Sequence, residues 1–377
     1  MVEIREIKPT KKNLKAFIQF QIDLYKGNEY YVPPFVLDEI NTLNPASNPA
    51  ADFCDQVLFM AYRDGKPVGR IAGIINKQVN AKSSETNARF GFIDFIDDNE
   101  VSAALLKAVE DWACSKGMTR VIGPLSFTDL DQEGMLVEGY EELSTMATIY
   151  NYPYYPAHME RLGYTKESDW IEFQMGVPDA IPERYERIAE IVKKKFGLKV
   201  LKFKSRKLLK EKYGHALFEL INEAYKDLYQ YSPLTQRQID HYISIYLDLL
   251  DLDLVTLIVD SEEKLVCVGI SMPSMSRALQ KSRGKLFPFG WYHLLKGIKG
   301  KNDRVDLLLV AAHPSYQNKG VNALLFQDLI PYYQKKGFKY AESNPELETN
   351  AKVQSQWGYF ETRQHRRRRS YFKDLKK

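Results

Sequence analysis

The feature that most constrains the fold is an order of elements that occurs twice along the chain. A hairpin pattern with a Val-Gly pair at Val68 and Gly69 recurs at Val268 and Gly269, an offset of 200 positions. Each hairpin precedes a strand, a turn and an amphipathic helix that ends before a glycine. A repeated order of this kind predicts a duplicated unit, although one large α/β domain with accidental likeness is the alternative.

The strand and helix after each hairpin define the copies. The predicted strands cover residues 90–95 and 305–312, and the predicted helices cover about 99–116 and 320–336. Apolar side chains recur at helical spacing in both helices, so one face of each should pack on a sheet. These side chains are Val101, Leu105, Val109 and Trp112 in the first copy and Val321, Leu324, Leu325 and Leu329 in the second. The pattern predicts an α/β fold of the mixed-sheet, α+β kind.

The duplication predicts two domains, residues 1–177 and 178–377, joined by a linker and helix at 178–193. Changes in the offset place insertions at residues 125–145 in the first copy and 274–304 in the second. The second insertion contains an aromatic run at residues 287–295. We expect this run to be a lid over a binding site or a plug at a domain interface.

Composition excludes several classes of protein. Of 377 residues, 44% are hydrophobic, enough for two cores, and the net charge of +4 gives no support to nucleic-acid binding. The three cysteines, Cys54, Cys114 and Cys267, are scattered, so we expect neither a disulfide framework nor a metal site, and Cys114 should be a core residue. The cysteine usage and the charged N-terminus predict a cytoplasmic protein without a transmembrane segment. Peripheral membrane contact stays open.

The second copy has a turn suited to phosphates between its strand and its helix. The first amides of a helix have no intrahelical partner and, with the helix dipole, form an anion site. Gly320 allows close approach of a diphosphate, and Lys319 adds a positive charge. The first copy instead has three carboxylates, Asp97, Asp98 and Glu100, which would repel a diphosphate and suit a helix N-terminus. An ordinary strand-to-helix connection is the alternative for the turn.

These residues resemble the GNAT family of acyl-CoA-dependent N-acyltransferases. The family signature, V-x-P-x-x-(Q/R)-x-x-G-x-(G/A), is matched by Pro314, Gln317 and Gly320, whereas Asn322 departs from its last position. The strand order of both halves is also similar, so the chain looks like a tandem GNAT protein with two GNAT-like domains. More narrowly, residues 342–345, 353–357 and 366–373 look like a bacterial GNAT-like group without settled function.

The resemblance implies a site in the second domain for acetyl-CoA or a longer acyl-CoA as co-substrate. The implied binding residues are Val310, Ala311, Ala312, Gln317, Asn318, Lys319, Gly320, Val321 and Asn322. Backbone amides of residues 310–312 are implied to bind the oxyanion. Glu342 or His313 is implied as general base, although each is also typical of a structural position, a strand end or a solvated turn.

The tyrosine acid of many family members is missing at the corresponding positions, which hold Gln354 and Met159. Tyr333 and Tyr359 are the substitutes considered, without support from their spacing. Asn318, where the family often has Gly, is acceptable because Asn tolerates a positive φ.

Three further groups of side chains stand out. Tyr155, in the aromatic run 150–156, and Trp291 and Tyr292 are candidate substrate contacts, with packing as the alternative for each. The basic run 363–369 should alternate its side chains between two faces if it is a strand. We expect it to be a solvated last strand near an acidic partner surface, with nucleic-acid or phospholipid contact as the alternative.

The sequence therefore predicts an acyl-CoA-dependent N-acyltransferase with one active centre, in residues 178–377, and a degenerate first domain. The acceptor is a small-molecule or lipidic amine, and no nucleic-acid partner is expected. A tandem-GNAT aminoacyl or peptidyl transferase and a non-catalytic CoA-binding module are the alternatives. The acceptor amine, the acyl length and the oligomeric state do not follow from the sequence.

Overall fold

Strands and helices follow one another in the order that the duplication predicts. The computed structural model describes residues 1–375, except for the side chains at positions 352 and 359. The first half contains β1 (Glu3–Glu6), α1 (Lys11–Leu24), α2 (Val36–Leu43), β2 (Cys54–Arg63), β3 (Lys66–Asn76), α3 (Lys77–Ser83), β4 (Asn87–Phe95), α4 (Asn99–Ser115), β5 (Arg120–Gly123), β6 (Met135–Glu138), α5 (Tyr155–Arg161) and β7 (Thr165–Gly176).

The second half repeats this series with two additional helices, one before its first strand and one before its fourth strand. It contains α6 (Glu183–Phe196), β8 (Lys199–Leu201), α7 (Arg206–Tyr225), α8 (Gln236–Ile245), β9 (Val255–Val259), β10 (Leu265–Pro273), α9 (Ser276–Ser282), α10 (Gly290–Lys299), β11 (Arg304–Ala312), α11 (Asn322–Lys336), β12 (Tyr340–Ser343), β13 (Glu346–Leu347), α12 (Ala351–Gln354) and β14 (Thr362–Asp374).

The chain forms two compact units, each assembled from separate segments. The first unit contains Met1–Ile171, Met275–Leu294 and the chain from His365 onward. The second unit contains Glu172–Ser274 and Leu295–Gln364. Strands β7 and β14 therefore contribute residues to both units.

The first unit is built on a mixed sheet with the order β1-β2-β3-β4-β5-β14-β7. Strands β2, β3 and β4 are antiparallel neighbours, and β4 and β5 are parallel. Strand β14 pairs antiparallel with β5, with Tyr371 opposite Gly123, and also pairs with the short strand β6. The last strand of the chain thus completes the sheet of the first unit.

The second unit repeats the topology in the order β7-β12-β11-β10-β9-β8. Strands β9, β10 and β11 are antiparallel, β11 and β12 are parallel, and β12 pairs antiparallel with residues 174–176 of β7. The duplicated mixed α/β unit that the sequence predicts is present.

The segments that form the two units differ from the predicted domains in three places. A boundary near residue 178 leaves residues 275–294 and the chain from residue 365 in the second domain, whereas their contacts place them in the first unit. It also leaves residues 172–177 in the first domain, whereas they belong to the second unit. The reason is pairing: β14 fills the position beside β5, and β7 fills the equivalent position beside β12. The division at residues 177 and 178 stays a prediction about the duplicated sequence.

Apolar side chains cover both faces of each sheet. The predicted stripe of α4 is buried, with Val101, Leu105 and Val109 fully enclosed in the core of the first unit. Helices α1 and α2 close its other face around Phe17 and Leu43. In the second unit, Val321, Leu324 and Leu325 of the predicted stripe pack together with α6, and Leu329 packs in a neighbouring cluster. Helices α7 and α8 line the opposite core of that unit.

Candidate functional site

A strand, a turn and a helix form the candidate site in the second unit, as the sequence predicts. Strand β11 ends at Ala312, His313 precedes a short 3-10 helix, Pro314–Tyr316, and α11 begins at Asn322. Two residues of the turn have left-handed backbones, Asn318 with φ 60° and Gly320 with φ 78°. Glycine adopts this conformation without strain, and Asn is among the side chains that tolerate it. The expectation for Asn318 is confirmed.

Four amides of the turn and of the helix start have no acceptor within the described protein. Within residues 1–375, the N–H groups of Asn318, Gly320, Val321 and Asn322 donate no hydrogen bond to protein, whereas Lys319 N donates to Tyr316 O at 3.4 Å. Free amides at the start of a 15-residue helix form a site for a negatively charged group.

The side chains of the turn divide between holding the loop and presenting charge. Gln317 Nε2 donates to Ala312 O at 3.0 Å, so Gln317 holds the turn against the end of β11. The exposed Lys319 Nζ lies 5.3 Å from the ring centre of Phe196 and 5.9 Å from that of Tyr316. These rings support the cation at the turn.

Asn322 and Gly320 each have a structural partner that the sequence did not indicate. Asn322 Nδ2 donates to Gln356 Oε1 at 2.9 Å, so this side chain is committed to the protein. A Cβ atom at Gly320 would lie 2.8 Å from Ile188 Cγ2 of α6. Packing against α6 and a positive φ therefore both require glycine at position 320, independently of any ligand.

Beyond the turn, β11 has an open edge. Strand β12 pairs with β11 only from Arg304 to Leu307. Residues 309–312 pair with β10 alone, and Leu308 is left out of the pairing by a bulge opposite Ile270 and Ser271. Side chains contact carbonyls of this segment: Tyr225 Oη donates to Val310 O at 2.9 Å, and Asn344 Nδ2 donates to Leu308 O at 2.6 Å. The predicted oxyanion segment, Val310, Ala311 and Ala312, lies along this edge.

The two predicted bases are not brought together. Glu342 lies opposite Asp306 in the parallel pair. His313 follows the end of β11, seven residues beyond Asp306, which is roughly 23 Å at about 3.3 Å per residue. Glu342 is buried and accepts from Arg304 Nη1 at 2.5 Å and from Gln174 Nε2 at 2.8 Å. His313 Nδ1 lies 2.6 Å from Ser315 Oγ and caps the 3-10 helix.

Of the two substitutes for the missing tyrosine acid, Tyr333 is committed to a partner inside the core. Tyr333 is buried, its hydroxyl lies 2.5 Å from Ser271 Oγ, and burial raises its pKa above the usual range. The side chain of residue 359 lies outside the described part of the structure. Tyr225, at the end of α7, was not identified from the sequence. Its contact with β11 joins residues that are separated by α8, β9, β10, α9 and α10 along the chain.

The start of α4 in the first unit is occupied by its own carboxylates, as predicted. Asp98 caps the helix by accepting from the amides of Glu100 and Val101. Arg63 donates to Asp98 at 2.7 Å and to Glu100 at 2.9 Å. The hydrogen bond from Arg63 lowers the pKa of Asp98 to about 2. An anionic ligand would meet negative charge at this helix.

The three candidate substrate residues all lie in the first unit and differ in exposure. Tyr155 is 1% exposed and its hydroxyl lies 2.9 Å from that of Tyr25, inside the core. Trp291 and Tyr292 are 46% and 53% exposed at the start of α10. The structure therefore does not group Tyr155 with Trp291 and Tyr292.

A buried polar network in the first unit was not predicted. Arg70 is 1% exposed and bonds to Asp94 Oδ2 at 2.8 Å and to Glu39 Oε1 at 3.0 Å, while Tyr25 Oη donates to Asp94 Oδ1. Burial raises the pKa of Asp94, and Arg70 opposes this effect. Arg70 directly follows the Val-Gly pair in the sequence, but nothing there identifies its acidic partners.

The basic run at the end of the chain is not a solvated strand, which corrects that expectation. The predicted alternation is present: Arg366 and Arg368 are buried, and their guanidinium groups donate to the carbonyls of Leu143 and Ile149. On the other face, Arg367 and Arg369 both bond to the carboxylate of one residue, Asp169. Loop carbonyls and this carboxylate compensate the charges that the sheet encloses.

The described residues contain neither a candidate metal cluster nor a membrane-spanning helix. Residues 1–375 contain no group of three or more His, Cys, Asp or Glu side chains that could hold a metal ion. None of the described helices has the length and apolar character that crossing a bilayer requires.

Comparison with known proteins gives relatives along the whole chain. No family model matches. Protein YghO of Escherichia coli (strain K12) is 28% identical over 372 residues, 97% of this chain and 94% of that protein. A bacterial ceramide synthase of Caulobacter vibrioides (strain NA1000 / CB15N) is 29% identical over 298 residues, 78% of this chain and 75% of that protein.

Solved structures agree on the fold. A tandem GNAT protein from the clavulanic acid biosynthesis pathway matches with a TM-score of 0.59 at 11% identity, over 100% of this chain and 99% of that one. A GCN5-related glucosamine N-acetyltransferase region of a fungal multi-domain β-N-acetylglucosaminidase matches with a TM-score of 0.54 at 11% identity, over 99% of this chain and 38% of that one. With the same strand order present in both units, the chain has the fold of tandem GNAT proteins, a mixed α/β architecture of two similarly built units.

Proposed function

We propose that this protein is an acyl-CoA-dependent N-acyltransferase whose active centre lies in the second unit. The observation that carries the proposal is the set of four free amides, those of Asn318, Gly320, Val321 and Asn322, which follow a strand with an open edge. The tandem GNAT fold supports it, because a diphosphate at the turn would leave the rest of an extended CoA along the edge of β11.

The donor would be held mainly by backbone groups. The amides of the turn and the start of α11 bind the diphosphate, and Lys319 adds a charge that two aromatic rings hold in place. Gln317, Val321 and Asn322 act indirectly: Gln317 and Asn322 are bonded within the protein, and Val321 is buried beneath the turn.

The acyl transfer would take place along residues 308–312. The acceptor amine attacks the thioester carbonyl, and backbone amides of Val310–Ala312 stabilise the oxyanion that forms. The tetrahedral intermediate then collapses, the C–S bond breaks, and the thiolate takes a proton. Tyr225, 2.9 Å from Val310 O, is positioned to supply that proton. His313 and Glu342 lie near opposite ends of this segment and remain alternative bases for the amine.

The acceptor we propose is a lipidic amine, with an acyl chain longer than acetyl on the donor. The curated relative named bacterial ceramide synthase supports this choice, since ceramide is the amide of a long-chain amine and a fatty acid. A small polar amine with acetyl-CoA is the simpler alternative that the same turn would serve.

The first prediction concerns donor binding. Acetyl-CoA or a longer acyl-CoA should raise the melting temperature, equivalent to about 2.7 kcal/mol at one hundred times the dissociation constant. Asn318→Asp should weaken this shift, because it adds a negative charge at the diphosphate with almost no change of shape. Lys319→Gln should weaken it as well. Lys335→Gln, in the last turn of the same helix, is the matched control and should keep the full shift.

The outcomes separate the candidate functions. Equal shifts in Asn318→Asp and the control would exclude this turn as the donor site. Tyr225→Phe should keep the shift and lower turnover at least about tenfold if the hydroxyl protonates the thiolate. Binding without turnover for any amine would indicate a non-catalytic CoA-binding module. Transfer from an aminoacyl donor without CoA binding would indicate an aminoacyl or peptidyl transferase.

A further inference from the structure

A row of large aromatic side chains projects from the first unit into solvent. Phe287 is 75% exposed and Phe289 72%, and the first two side chains of α10, Trp291 and Tyr292, are 46% and 53% exposed. We call residues 287–292 the aromatic tip. Scattered exposed apolar residues are normal, but four within six positions form the kind of contiguous patch that marks an interaction surface.

The exposure is not a consequence of a loosely attached loop. Gln280 Nε2 donates to the carbonyls of Glu29 and Tyr31, both at 2.8 Å, and the amide of Val36 donates to Gly284 O at 2.9 Å. A Cβ atom at Gly284 would lie only 1.9 Å from Pro34 O. The base of the tip is therefore fixed to the first unit, and the aromatic side chains are held outward.

Packing of the same segment confirms that its buried and exposed faces are distinct. Met275, Ala278 and Leu279 are each at most 6% exposed and anchor α9 in the first unit. Within the tip, Gly290 is buried, and a Cβ atom there would lie 1.6 Å from Lys285 O. The chain turns tightly on small residues inside while its largest side chains remain outside.

Charge distinguishes this segment from the rest of the chain. Residues 275–302 contain seven Lys and Arg residues and no Asp or Glu. The net charge of the whole chain is +4, so the remaining residues together carry −3. Lys281, Arg283 and Lys285, next to the tip, are exposed.

We propose that the aromatic tip inserts into the interface of a membrane that contains anionic lipids, and that the neighbouring lysines and arginines bind the lipid headgroups. Aromatic side chains favour the boundary between headgroups and acyl chains, and clustered cations add attraction to an anionic surface. The contact that we propose is made by side chains of the tip, at the depth of the headgroups.

The charge argues against the other occupants of such a surface. A second copy of the chain, paired tip to tip, would bring like charges together. An acidic protein would neutralise the cations, but it would leave unexplained why fixed glycine turns hold four aromatic rings outward. The proposal is independent of the proposed function, since it requires neither acyl-CoA nor turnover.

Binding to vesicles tests the proposal directly. The full chain should co-sediment with vesicles of phosphatidylcholine and phosphatidylglycerol, bind much less to phosphatidylcholine alone, and dissociate as salt is raised. The triple variant F287S/F289S/W291S should lower the partition coefficient by about tenfold or more. Brominated lipid should quench the tryptophan fluorescence of the wild type. Most of this quenching should be lost in Trp291→Phe.

Matched variants separate insertion from general effects. I191S/L208S/L249S replaces three side chains that are 53%, 52% and 56% exposed elsewhere, and it should bind vesicles like the wild type. K281Q/K285Q should reduce binding to anionic vesicles, whereas K11Q/K12Q, which changes two exposed lysines of α1, should not.

Three results would overturn the proposal. The first is equal vesicle binding by the wild type and F287S/F289S/W291S. The second is the absence of any binding to anionic vesicles at low salt by folded wild-type protein. The third is concentration-dependent self-association that the triple variant abolishes without any vesicle binding, which would assign the tip to a second copy of the chain.

Discussion

Individual side chains in this protein often have partners that lie far away in the sequence. Arg366 and Arg368 have the charge of surface residues and yet are buried, because carbonyls of a loop more than 200 positions earlier accept their hydrogen bonds. Cys114, which the amphipathic pattern placed in the core, is exposed, one position beyond the buried Ala113. Residue type alone therefore predicted the wrong exposure both for these two arginines and for Cys114.

Local backbone chemistry was more predictable at this scale. The sequence indicated Asn318 and Gly320 as residues suited to a tight turn, and both have a positive φ. It did not reveal that α6 also excludes a side chain at Gly320, because that contact joins distant segments.

Glu346 gives a prediction for pH dependence. Burial raises its pKa to about 8, although Trp357 Nε1 donates to Oε1 at 2.9 Å. The pKa of an unfolded Glu is about 4.3, so between about pH 4 and 8 the folded state binds more protons and stability falls as the pH rises. Glu346→Gln should remove this loss, which amounts to roughly 1.4 kcal/mol for each unit by which the pKa is raised.

The measurement is urea unfolding near pH 5 and near pH 8, followed by tryptophan fluorescence. The exposed Glu361→Gln is the control and should keep the wild-type dependence. An unchanged pH dependence in Glu346→Gln would contradict the raised pKa.

At the scale of elements, equivalent helices of the two units begin in opposite electrostatic environments. Helix α11 starts with free amides and Lys319, whereas α4 starts with Asp98 and Glu100, paired with Arg63. The sequence was sufficient for this contrast, since both helix starts and their charges are local patterns. It was insufficient for the open edge of β11, which depends on where β12 stops pairing.

The cap of α4 provides the second stability prediction. Asp98→Ala should destabilise the first unit by about 1 kcal/mol, because two amides lose their acceptor. Asp98→Asn should cost less, since the amide oxygen still caps the helix and only the charge opposite Arg63 is lost. The carboxylate contribution is present above about pH 4 and is lost as the pH falls through about 2.

Thermal unfolding at neutral and acidic pH measures these effects. Equal losses in Asp98→Ala and Asp98→Asn would show that the ion pair, rather than the cap, holds the start of α4.

At the scale of the whole molecule, each unit takes its last strand from the other part of the chain. Strand β14, at the end of the sequence, pairs with β5 and β6 of the first unit, while residues 174–176 of β7 pair with β12 of the second. The insertion at residues 275–294 also belongs to the first unit. A cut between two contiguous halves would therefore separate strands from their sheets.

Truncation before His365 tests this assembly. Removing the chain from His365 onward takes away the strand beside β5, the buried Tyr371 and the buried Arg366 and Arg368. A domain is stable by only about 5–15 kcal/mol, so loss of a sheet strand should unfold the first unit. Limited proteolysis should then degrade residues 1–171, whereas a chain lacking only residues 376–377 should resist like the wild type. Resistance of the longer truncation would contradict the role of β14.

By itself, the sequence determined the fold class, the duplication, the stripes of α4 and α11 and the strand–turn–helix of the candidate donor site. Each of these follows from patterns of spacing, glycine placement and charge. The residues that form each pattern lie close together in the sequence. Only the tertiary structure decided which strand completes which sheet, that Arg366 and Arg368 are buried, that Glu342 is paired with Arg304, and that Tyr225 reaches β11. These features depend on hydrogen bonds and packing between residues distant in sequence, and a single sequence does not specify such pairings.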